Sequence, residues 1–179
     1  MTQGHPHGVL GRFLSGLTET TFHGQLGVAD PPLVDYLVGL LMRFVHRDAV
    51  YSVRDLKGRR LDEVAEMMAE AQARVGLPQR EVHRHIGDYT LFFSGVFPEA
   101  LAKRRRANRK DHLVEYAQQG KRAYWIASTL GNEEHAAESD VLARLSSEFE
   151  LCAYGLNQVR RQWEQRGPDD ASPGELLIN

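Results

Sequence analysis

Apolar residues along this chain recur every three or four positions and almost nowhere every second one. At about 100° per residue, such spacing gathers side chains on one face of a helix. Between Gln79 and Leu101, Val82, Ile86, Tyr89, Phe93, Val96 and Phe97 share one apolar arc, and Gly87, Thr90 and Ser94 line another flank where small side chains admit a close neighbour. Leu33 to Val45 is apolar nearly all round, with Asp35, Gly39, Arg43 and His46 in one narrow polar stripe. A helix of that kind belongs in the centre of a bundle. Asp30-Pro31-Pro32 before it supplies an N-cap and prolines in the first turn, where a missing N–H costs little.

Shorter patterns fill the remainder. Val9 to Leu17 is amphipathic. Leu61, Val64, Met68, Ala71 and Val75 keep helical spacing until Gly76 and Pro78 stop it. Asp111 caps a segment with Leu113, Ala117, Gly120, Tyr124 and Ala127 inward. Leu142, Leu145, Phe149, Cys152, Leu156, Val159 and Trp163 alternate by three and four, the spacing of a heptad seam on one long helix. Val50 to Arg60 reads as a turn or irregular link. The expected fold is all-α: a single-domain bundle of about five or six helices ending in a long C-terminal helix. The domain is expected over residues 9–166, between a flexible start (1–8) and a flexible tail (167–179).

Composition adds little beyond exclusions. A chain of 179 residues, 42% hydrophobic and 26% charged, suits one globular domain. A formal net charge of -2 gives no global attraction to nucleic acid or an anionic membrane. Cys152 is the single cysteine, which fits a reducing cytoplasm. The opening residues lack the basic start and unbroken apolar run of a secretory signal, and no stretch is apolar for the roughly 18 residues a membrane span requires. A cytoplasmic protein outside the membrane is therefore expected.

The chemistry-bearing residues concentrate in one helix. His85 falls inside the apolar arc, between Phe92 and Val96, with Glu81 and Asp88 along its edge. An imidazole placed there and held by acids can carry protons or bind a ligand. Burial lowers a histidine pKa and a carboxylate raises it. The acid is expected to win, coming from this helix or from Asp35. The candidate ligand-binding set is Glu81, His85, Asp88, Tyr89 and Asp35, and its bland reading is a satisfied histidine at the core edge. The spacing does not match a Glu-x-x-His di-metal pattern, so no metal ligands are assigned.

Lys103 to Lys110 holds six basic residues of eight, but no aromatic is interleaved for base stacking. A solvated connector is the better reading, and nucleic acid is not expected as a partner. Cys152 lies on the heptad stripe without a basic neighbour and reads as a small core residue. No phosphate-binding glycine loop, nucleophile elbow or zinc-peptidase motif occurs. The residues thus lean away from an enzyme and name no cofactor.

The pattern Gly87-Asp88-x-x-Leu91-Phe92-x-Ser94-Gly95-x-Phe97-Pro98-Glu99-x-Leu101, followed by the aromatic-rich segments around Tyr124 and Phe149, resembles a family of bacterial helical proteins of unknown function. The resemblance spans roughly residues 30–165. It implies a bacterial helical domain and transfers no functional residue. The leading expectation is a non-catalytic protein acting through partner binding, as a homodimer. The alternative is a small-molecule- or metal-binding protein, an enzyme included, with a polar pocket around His85, Asp88 and Tyr89.

Overall fold

The computed structural model describes residues 8–106 and 115–166. Helix accounts for 77% of them, and strand pairing among them is limited to one isolated bridge between Arg54 and Arg60. Among the described residues, nine α-helices follow in order: α1 (Val9–Glu19), α2 (Pro31–Phe44), α3 (Arg47–Val50), α4 (Val64–Gln72), α5 (Leu77–Gly95), α6 (Pro98–Arg106), α7 (Tyr116–Thr129), α8 (Ala136–Ser147) and α9 (Phe149–Glu164). The all-α class is as expected, while the helix number exceeds the five or six read from periodicity. A π-helical turn, Thr20–Gln25, extends α1. Among the described residues, no helix is long and apolar enough to cross a membrane.

The added helices come from breaks that the apolar spacing hides. The heptad stripe from Leu142 to Trp163 is buried at every position, yet it lies on two helices, α8 and α9. Glu148 joins them at φ -105° and ψ 24°, off the helical basin. Just before it, the Ser147 hydroxyl donates to the Arg144 carbonyl, a back-bond that bends helices. Cys152 is buried as expected, and burial, helped by Glu148 and Asp30, pushes its thiol up to about 12.

In α4 the inner residues are Val64, Met67 and Ala71. Met68 is only partly buried, and Val75, expected on the inner stripe, is 85% exposed because α4 has already ended at Gln72. Asp30 caps α2 as its sequence requires, accepting from Leu33 N–H at 3.2 Å. Lys103 is exposed; the rest of the basic run, Leu113 and the two expected flexible ends lie outside the described side chains.

Helix α5 sits at the centre, and glycine lets its neighbours come close. A Cβ on Gly87 would lie 2.5 Å from the Tyr124 ring of α7. One on Gly120 of α7 would meet Thr90 and lie 2.5 Å from the Phe149 ring. One on Gly95 would lie 2.9 Å from the Ala153 carbonyl of α9. The expected small-residue flank is thus a packed seam. Its one buried hydroxyl, on Thr90, donates back to the Ile86 carbonyl at 2.7 Å.

Candidate functional site

The opposite flank of α5 is built differently. Val82, His85 and Asp88 face α2 and the segment after α3, and the elements stand apart around a cavity of about 430 Å3. That volume lies within the roughly 300–1,000 Å3 typical of small-molecule sites. Phe44, Ala49, Val53 and Val82 give it an apolar wall, and Arg43, Arg54, Arg74 and Arg84 a cationic one. Glu81, Ser52, His85 and Asp88 complete it.

Asp88 anchors the deep end and is 3% exposed. Its Oδ1 accepts from the Tyr36 and Tyr124 hydroxyls, each at 2.8 Å. Its Oδ2 accepts from Arg43 at 3.0 Å. One carboxylate therefore ties α2 and α7 to α5. Burial first, and the Asp88 charge second, push both phenols well above their usual pKa, so they remain donors. Helix α2 supplies Tyr36 and Arg43 to this junction, of which only Arg43 belongs to its polar stripe, whereas Asp35 of that stripe is exposed. Tyr36 is one position further and so about 100° further round the helix.

His85 is 8% exposed, as its place on the apolar arc predicts. Its partner is not an acid. Nδ1 lies 3.2 Å from the Ser52 hydroxyl, and Nε2 is buried without a hydrogen-bond partner. Glu81 turns outward to Arg80 and Arg84 at 3.2 and 2.7 Å, and Asp88 is engaged by its three donors. Burial therefore wins, and the histidine pKa falls to about 4, against the pull of Asp88 and the Val50 backbone and with the help of Arg84 and Arg43. The expectation that an acid would raise it is corrected. His85 is a neutral imidazole at ordinary pH, sharing a hydrogen bond with Ser52.

The cavity floor rests on an ion-pair cluster. Arg80, fully buried, donates to Glu81 and, at 2.8 Å, to Glu138 of α8. Arg84 donates to the same two acids. Burial would raise the Glu138 pKa, but these two arginines lower it on balance. On the outer wall, Arg74 pairs with Glu70 and donates to the Arg54 carbonyl at 2.9 Å. Arg54 donates to the Gly58 carbonyl at 2.8 Å within the bridged turn.

Of the five candidates from sequence, the structure brings Glu81, His85 and Asp88 to one cavity and places Asp35 and Tyr89 outside its lining. Tyr89 is fully buried, and its hydroxyl donates to the Asp62 carbonyl at 2.7 Å. Sequence reasoning missed Ser52 and the four arginines. Only Arg84 carried a local signal, three residues after Glu81 and four before Asp88. Among the described residues, no group of three His, Cys, Asp or Glu side chains is placed to hold a metal ion. The cavity's carboxylates are already bound to arginine, an arrangement that disfavours a cation.

Comparison of the chain with protein-family models, with curated proteins and with solved structures gave no match.

Proposed function

We propose that this protein binds a small molecule in the cavity between α2, the segment 49–54 and α5. The observation that carries this reading is the contrast within one helix. At Gly87 and Gly120, α5 and α7 close to ring contact, and the hollow beside His83 and Ile86 holds about 250 Å3, while the His85 side opens to about 430 Å3 around a mixed polar and apolar wall. Ser52, Arg54 and Glu81 are exposed at its rim, so the cavity is open to a ligand, and the buried Nε2 of His85 within it has no protein partner. The imidazole is too weakly basic to serve as a general base near neutral pH, which favours binding over catalysis.

Partner binding, with self-association as its simplest form, is a second reading. Trp125 and Tyr154 favour it, exposed by 57% and 55% on α7 and α9. Aromatic side chains of this kind are enriched at interfaces. Light scattering at high micromolar concentration tests it: a dimer supports the homodimer, and a monomer removes it.

The small-molecule reading is tested with a ligand-observed NMR screen of a chemically diverse fragment set against the full chain and against Ser52→Trp. Ser52 is exposed at the cavity edge, so an indole there can fill the cavity, at the cost of the hydrogen bond to His85. The reading expects fragments whose signals respond to the natural chain and not to Ser52→Trp. Equal responses with both proteins, or none with either, would contradict it.

A further inference from the structure

We propose, building on the small-molecule reading, that the occupant is a small organic anion. Its oxyanion head would meet the arginine wall, and its apolar body would lie against Phe44, Val53 and Val82. Charge pairing around the cavity carries the inference. Arg43 is matched by Asp88 and Arg74 by Glu70. Arg80 and Arg84 share Glu81 and Glu138. Arg54 lines the cavity, its guanidinium donates to the Gly58 carbonyl, and among the described residues no carboxylate forms an ion pair with it.

Two further observations point the same way. The Arg84 Nε is a buried donor without an acceptor. His85 has a buried Nε2 without a partner, and its Ser52 neighbour offers a hydroxyl at the same wall. A guanidinium presents a planar fork of donors that matches both carboxylate and phosphate geometry. The lining fixes this shared oxyanion chemistry. The apolar wall then argues for a carbon body on the ligand, since a bare inorganic ion would leave Phe44, Val53 and Val82 uncovered.

The test is a calorimetric titration of the full chain at fixed ionic strength with four probes: benzoate, phenylphosphonate, inorganic phosphate and benzamide. Either aromatic anion, or both, should bind with a dissociation constant on the order of 1 mM, as suits a fragment. Which of the two is tighter separates a carboxylate from a phosphate-type head. Benzamide, neutral and of the same shape, should bind at least about tenfold more weakly, and phosphate more weakly than phenylphosphonate. Arg54→Gln should weaken the aromatic anions about tenfold and leave benzamide unchanged. Benzamide as tight as benzoate would overturn the anion inference and keep the small-molecule reading. Phosphate as tight as phenylphosphonate would remove the apolar body. Aromatic-anion binding untouched by Arg54→Gln would show that the head sits elsewhere. No saturable binding by any of the four would overturn the anion inference, leaving the fragment screen to decide the broader reading.

Discussion

The two flanks of α5 solve opposite problems within nineteen residues. Toward α7 and α9, Gly87 and Gly95 remove side chains so that rings and backbone fill the space. Toward α2 and the 49–54 segment, His85 and Asp88 reach the facing elements through hydrogen bonds to Ser52, Tyr36 and Arg43, and charged groups line the cavity beside them. The seam follows the ordinary logic of a core. The open flank keeps a buried imidazole and an ion-pair cluster that hydrophobic filling would have replaced at little loss of stability. Close packing marks one side of the helix, and the cavity where we propose that a ligand binds marks the other.

That contrast can be broken first at the seam. Phe149 is fully buried against Gly120, and Phe149→Ala should cost about 3–5 kcal/mol in denaturant unfolding, because a ring-sized cavity remains. An unchanged midpoint would show that the seam is not the stabilising side. Asp88→Ala comes next. It leaves two buried hydroxyls and Arg43 without their acceptor, and should cost about 3 kcal/mol, with Asp88→Asn recovering part of it. A cost below that of a typical surface change would mean the junction does not hold the three helices together.

The pH dependence of His85 sharpens the open side. Its folded pKa, about 4, lies below the ordinary 6.5, so the unfolded chain binds the extra proton between those values. The contribution is complete above the unfolded pKa and is lost as pH falls through that window, by at most about 1.4 kcal/mol per pH unit. His85→Leu should flatten this part of the curve relative to the natural chain, whose acids titrate in both proteins. Identical slopes would place the imidazole in water. Gly87→Ala should destabilise by about 1–2 kcal/mol, since overpacking against Tyr124 outweighs the gain in helix propensity. The smallest effect is expected at the rim: Arg54→Gln should change unfolding by less than about 0.5 kcal/mol, whatever it does to ligands.

How legible these features were depends on the range of the interaction. Helical class, the buried stripe from Leu142 to Trp163, the Asp30 cap and the glycine flank of α5 all follow from spacings within a few turns. The break at Glu148 was hidden because both helices present the same heptad phase. Met67 and Met68 are chemically identical neighbours, and only tertiary packing chooses between them. His85 could be placed in the core from its own helix, but its partner Ser52 lies 33 residues away. Asp88 likewise meets Arg43 across 45 residues and Tyr36 across 52. No periodicity encodes such pairings, so the expectation of an acid beside His85, from its own helix or from Asp35, missed Ser52. The arginine wall was illegible for the same reason, since α2, the bridged turn and the residues after α4 each contribute to it.

The central claim, that the open flank of α5 is the binding side, is tested most directly by mapping backbone amide shifts while benzoate or phenylphosphonate is titrated into the full chain. The expected result is a set of saturating shifts confined to residues 43–44, 49–54, 74 and 81–88, with Thr90, Gly120 and Phe149 quiet. Saturating shifts centred on that seam, or none around Ser52 and His85, would contradict it.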